Sequence, residues 1–109
     1  MNINSLIVNN LSSLNVPTTF LKSSSTTFPY ITFFEYLQQG EEFCDDGEVG
    51  IGHYVQVDVW SKTDYATLVD QVKTNLTNAN FKRTSEADLY ESDTQIYHKA
   101  LRFFYLEQI

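Results

Sequence analysis

Residues 51–60 read Ile51-Gly52-His53-Tyr54-Val55-Gln56-Val57-Asp58-Val59-Trp60, and Ser61-Lys62-Thr63-Asp64 follows directly. The first ten alternate. Ile51, His53, Val55, Val57 and Val59 fall on one side of an extended chain, with Gly52, Tyr54, Gln56, Asp58 and Trp60 on the other, the period-two signature of a strand. The next four set a hydroxyl three residues before a carboxylate, the spacing of a capping box, and so predict a helix starting there. Tyr65, Leu68, Val69, Val72 and Leu76 form its apolar stripe, and Asn78-Ala79-Asn80 ends it.

Upstream, Tyr30 to Leu37 follows Pro29 and is dense in β-branched and aromatic residues, which predicts a strand. Its two sides read Ile31, Phe33, Leu37 and Tyr30, Phe34, Tyr36. Gln38 to Gly50 carries Glu41, Glu42, Asp45, Asp46 and Glu48 beside three glycines and reads as a long solvated acidic loop. The Ser/Thr-rich segment from Thr18 to Phe28 competes for its own backbone hydrogen bonds and reads as a second loop. Before it, Ile3, Leu6, Ile7, Leu11 and Leu14 make a helical stripe that Asn15 to Pro17 closes. Downstream, Phe81 to Tyr90 and Gln95 to Leu106 read as strands joined by a turn at Glu91 to Thr94. The expected fold is therefore α+β: one domain over residues 1–109, with an antiparallel four-stranded sheet and two helices on one face. The element order is helix-strand-strand-helix-strand-strand.

Composition narrows the function. A chain of 109 residues buries roughly two thirds of its unfolded surface, enough for a core without metal or disulfide staples. Fourteen acidic residues against seven scattered basic ones leave a net charge of −7, which argues against a groove that grips nucleic acid through its phosphates. The single cysteine, Cys44, cannot form an internal bridge, so a reducing compartment is expected and the sequons at Asn10 and Asn75 are expected to go unused. The N-terminus lacks a basic leader and no apolar run reaches the roughly 18 residues of a membrane span, so a soluble, non-secreted protein is expected.

An antiparallel sheet with helices on one side normally shows water a polar second face. Here the second face carries Tyr54 and Trp60 around Gln56 and Asp58 on one strand, and Ala100, Phe104 and Leu106 on the last. Aromatic residues mixed with Arg102, His98, Gln56 and Asp58 match the composition of protein interfaces. The reading is a subunit or partner contact; its competitor has the segment from Thr18 to Phe28 folding back over the face.

No constellation proposes a reaction, and no catalytic residue, cofactor or metal is expected. His53 reads as a satisfied structural histidine. The carboxylates around Cys44 disfavour its thiolate, the reverse of what a nucleophile needs. Asp45-Asp46-Gly47-Glu48 lacks the ligand spacing of a calcium loop.

The run from Val57 through Trp60-Ser61 to Val72, then Leu89-Tyr90-Glu91, then Tyr97-His98-Lys99-Ala100-Leu101-Arg102-Phe103, resembles the small tail-completion proteins of long-tailed bacteriophages, also called tail terminators or tail-to-head joining proteins. Tyr30-Ile31-Thr32-Phe33-Phe34-Glu35 matches the family's first strand. The acidic stretch and the Ser/Thr-rich segment depart from the pattern. The resemblance implies a non-enzymatic virion protein, assembled in the bacterial cytoplasm, that caps the head-proximal end of the tail tube as a homohexameric ring. That ring stops tube polymerisation and joins the tail to the head connector, with the major tail tube protein and the head-completion protein as partners. DNA passes through without specific binding, and no membrane is involved. On this reading Tyr54, Gln56, Asp58, Trp60, His98, Arg102 and Phe104 are interface candidates, with Arg102 pairing to Asp58. Glu41, Glu42, Asp45, Asp46 and Glu48 either line the lumen and repel DNA or dock a basic partner. Two alternatives stay open: a head-completion or stopper-like neck protein, and a small ligand-binding regulatory domain.

Overall fold

The computed structural model describes residues 2–22, 27–42 and 48–108. In chain order the elements are α1 (Ile3–Leu11), a 3-10 turn (Ser12–Leu14), β1 (Thr18–Phe20), β2 (Tyr30–Glu42), β3 (Glu48–Ser61), α2 (Ala66–Asn78), β4 (Lys82–Glu91) and β5 (Ile96–Gln108). The strands form one five-stranded sheet in the order β1-β2-β3-β5-β4. All neighbours are antiparallel except β1 and β2, which run parallel with Thr18 opposite Ile31. The α+β class holds, while the four-stranded, all-antiparallel expectation is corrected. The missed strand is only three residues long and lies in the segment read as a loop, where Thr and Ser mask the short extended stretch from a propensity reading.

Both helices lie on the same face. Ile3, Ile7 and Leu11 of α1 and Val69, Val72 and Leu76 of α2 join Ile31, Phe33, Val55, Val57, Val59, Phe81, Leu101 and Phe103 in one core. The β3 register explains how: Val55, Val57 and Val59 sit opposite Phe103, Leu101 and Lys99 of β5, so the alternation read in the sequence turns every valine inward. Two amides tie the helix layer together. Asn75 Nδ2 donates to Asn10 O at 3.0 Å, and Asn10 Nδ2 to Leu6 O at 2.8 Å, so both sequon nitrogens are engaged inside the fold.

Three boundaries differ from expectation. Helix α2 begins at Ala66, not at the Ser61 box: Ser61 Oγ accepts from Thr63 N within a turn, and Asp64 Oδ1 accepts from Ala66 N at 2.9 Å, so Asp64 serves the helix start two residues downstream. The acidic loop expected over 38–50 is largely strand, because β2 runs to Glu42 and β3 starts at Glu48; what is left of it, 43–47, lies outside the described residues. A bulge in β2 between Glu35 and Leu37 sets Leu37 opposite Tyr54, so Leu37 leaves the Ile31 and Phe33 side on which alternation placed it.

Gly50 is required by packing. A β-carbon there would stand 2.5 Å from the Glu107 carbonyl oxygen of β5, a backbone atom that cannot step aside.

Candidate interaction surface

The second face of the sheet is floored by β3 and β5, whose register places Trp60 opposite His98, Asp58 opposite Ala100, Gln56 opposite Arg102 and Tyr54 opposite Phe104. Cross-strand partners share a face. All seven interface candidates of the sequence analysis therefore lie together, and among the described residues no helix covers them.

Their side chains form one connected network. The Trp60 and His98 rings stack at 3.8 Å with 12° between planes, and Trp60 Nε1 donates to Thr32 Oγ1 at 3.0 Å. His98 Nε2 contacts Asp58 Oδ1 at 2.7 Å, and Gln56 Nε2 donates to the same oxygen at 2.9 Å. Arg102 Nε donates to Gln56 Oε1 at 3.1 Å, and its guanidinium lies 4.5 Å over the Tyr36 ring. Tyr54 packs against Phe104 at 5.0 Å and donates from its hydroxyl to Glu41 Oε1 at 2.9 Å. That bond to the Glu41 carboxylate, helped by burial, raises the Tyr54 phenol above its ordinary value.

The expected pairing of Arg102 with Asp58 is corrected. Register sets Arg102 one pair away, opposite Gln56, and Asp58 takes His98 and Gln56 as its partners. Asp58 is 4% exposed although it faces away from the core, with His98 and Gln56 both on its Oδ1. The competing reading has the segment 18–28 covering this face; in its described part, β1 extends the sheet at the β2 edge and Phe28 packs on Tyr30 at the end of the face.

Sequence reasoning missed the flanks. β4 adds Ser85, Ala87 and Leu89, small or exposed residues without a distinctive pattern, whereas Tyr36 lies on the Tyr30 and Phe34 side that alternation gave it. Ser85, Glu86, Ala87 and Ala100, with Gln56, Leu89 and Arg102, line a shallow trough of about 420 Å³. Of the five acidic candidates, Glu41 is held by Tyr54 and Gln39, the backbones of Glu42 and Glu48 are paired in the β2 and β3 register, and Asp45 and Asp46 lie outside the described residues.

The opposite face holds two further polar clusters. His53, 3% exposed, is partnered at both ring nitrogens, Nδ1 by Glu35 and Nε2 by Glu107 Oε1 at 2.8 Å, so it pins β2, β3 and β5 together as a structural histidine. The bond from His53 holds Glu107 below the usual carboxylate range. Beyond α2, Lys99 Nζ lies 3.1 Å from both Glu86 Oε1 and Asp88 Oδ1. Burial works against the Lys99 ammonium, yet the two carboxylates outweigh it and raise its pKa. Its bond lowers Glu86, while Asp88 is lowered by hydrogen bonds from Tyr65 first and then from Lys99. Burial and the Asp88 carboxylate push the Tyr65 phenol up to about 12. Among the described residues no helix is long and apolar enough to cross a membrane.

Comparison with known proteins follows the fold. No curated protein matches the chain in sequence. A chain in the solved virion of a native gene transfer agent (GTA) particle is similar in fold, with a TM-score of 0.60 over 97% of this chain and 92% of that one at 8% identity. The sequence profile of the family described as tail completion protein gp17 matches residues 21–106, from the turn after β1 almost to the end of β5. The chain belongs to the tail completion protein gp17 family, a family of structural phage tail proteins.

Proposed function

We propose that this protein closes the head-proximal end of the phage tail tube as a ring of identical subunits, ends tube growth and provides the surface to which the head connector attaches, without catalysing a reaction. The observation that carries the reading is the internally hydrogen-bonded aromatic face built on β3 and β5, which no helix covers among the described residues, in a chain of the tail-completion family. Such a face suits a subunit contact. Apart from the outer nitrogens of Arg102, its polar groups already satisfy one another, so docking does not strand them, and its aromatic rings supply contact area at little cost in side-chain entropy. A ring needs two different surfaces on each subunit, and the sheet supplies them: the aromatic face, and exposed Tyr90 and Tyr97 at the far end of the β4–β5 hairpin. The chain of similar fold comes from the virion of a gene transfer agent particle, which accords with a place in a virion.

On this reading the acidic tip of the β2–β3 hairpin faces the lumen, where carboxylates repel phosphates and let DNA pass. The major tail tube protein lies on one side of the ring and the head-completion protein on the other. Electron microscopy of tails assembled in cells lacking this protein tests the proposal. Tubes of irregular length without attached heads are expected; tubes of uniform length carrying heads would refute it.

A further inference from the structure

Arg102 is an exposed base whose position is fixed while most of its donors stay open. Its Nε is used by Gln56, its plane rests on Tyr36, and among the described residues nothing meets Nη1 or Nη2. Three other basic side chains, Lys73, Arg83 and Lys99, are instead paired with Glu86. A guanidinium held flat with its fork free is built to receive a carboxylate, which it meets with two parallel N–H···O bonds. Beside it lies the trough of Ser85, Ala87 and Ala100, with room for an apolar side chain. The socket therefore asks for a carboxylate next to an apolar or aromatic group.

The same chain offers that combination on another part of its surface. At the end of the β4–β5 hairpin Tyr90 and Tyr97 are 52% and 43% exposed and pack on each other at 4.8 Å. Asp93 lies in the turn between them, exposed and with no ion pair among the described residues. Tyr97 also touches Tyr65 ahead of α2, so this knob belongs to the helix side of the sheet, while the socket belongs to the other side.

We propose that the hairpin end of one copy, Tyr90, Asp93 and Tyr97, docks on the aromatic face of the next copy, with Asp93 meeting Arg102 and a tyrosine entering the trough beside Ala87 and Ala100. This rests on the reading of the aromatic face as a subunit contact and names its counterpart. Joining a knob on one side to a socket on the other makes the contact head-to-tail, the kind that closes into rings. Charge selects a second copy over nucleic acid: a chain of net charge −7 presents carboxylates to an incoming guanidinium and repels phosphates.

Sedimentation velocity of the full-length protein across concentration tests this. Wild type is expected to associate, and Arg102→Glu and Asp93→Arg each to weaken association roughly tenfold or more, since like charges facing across a contact cost several kcal/mol, while the trough-filling Ala87→Trp weakens it by occupying the space a tyrosine would enter. Lys22→Glu, which changes net charge equally at the far edge of the sheet, is expected to have little effect. The double variant Arg102→Glu with Asp93→Arg regains association. An equimolar mixture of the two single variants is also expected to regain association, because the hairpin end of each is charge-complementary to the socket of the other. Far-ultraviolet circular dichroism confirms that each variant is folded. If Arg102→Glu weakens association while Asp93→Arg leaves it intact, the pairing is overturned but the face remains a contact; if neither matters, both are overturned. A wild type that stays monomeric, or that binds single-stranded DNA through Arg102, also overturns the proposal.

Discussion

Two residues one step apart on β5, Phe103 and Phe104, face opposite sides of one sheet and live by different rules. Phe103 is fully buried under the helices, touching Phe81 edge-on at 6.3 Å. Phe104 lies half-buried on Tyr54, with no helix over it among the described residues. The same contrast separates Val57 from Asp58 on β3. The helix face is held by apolar burial, which scales with area and tolerates no holes. The aromatic face is held by stacked rings and a chain of hydrogen bonds that keep even Asp58 nearly dry. A domain of this size needs only the first for folding; the second is available for assembly.

The sharpest way to break this contrast is to truncate each phenylalanine in turn. Phe103→Ala is expected to cost about 3–5 kcal/mol in denaturant unfolding, from lost burial plus a cavity. Phe104→Ala, with no cavity to leave, should cost well under half of that, and equal costs would show that the two faces are not distinct. Next in size is Asp58→Ala, which leaves His98 and Gln56 without their shared acceptor and is expected to cost about 1–3 kcal/mol by the same measurement.

Acid should then act on the helix side first. Glu86, Asp88 and Glu107 are all held below the ordinary carboxylate range, so near pH 4 the unfolded chain binds more protons than the native one. Their contribution is present in full above the unfolded carboxylate pKa and is lost as pH falls through the lower folded values. Melting temperature recorded from pH 7 down to pH 3 should fall across that window, less steeply in Glu86→Gln; identical slopes would remove these pairs from the account. The smallest expected effect sharpens the contrast from the other side: Arg102→Ala, at an exposed side chain with no ion pair among the described residues, should leave unfolding stability within about 0.5 kcal/mol while weakening assembly.

The sequence was most legible where periodicity was strict. The alternation of residues 51–60 placed every valine inward and put Tyr54, Gln56, Asp58 and Trp60 on the shared face where the structure has them. The stripe of α2 was equally plain, although Asp64, not the Ser61 box, sets its start. What escaped reading were features with no local period. The bulge at Tyr36 reverses Leu37, and a three-residue parallel strand hides among threonines. Acidic residues read as loop also continue a hairpin, because partners across the sheet override weak strand propensity. Arg102 was assigned the right face and the wrong partner, since a one-pair difference in register cannot be seen in a single strand.

Cryo-electron microscopy of the assembled tail end tests the central claim most directly, by showing what lies against Tyr54, Trp60 and Phe104 in the finished particle. The account predicts that these side chains are covered by another protein subunit. Finding them open to solvent in a complete tail would contradict it.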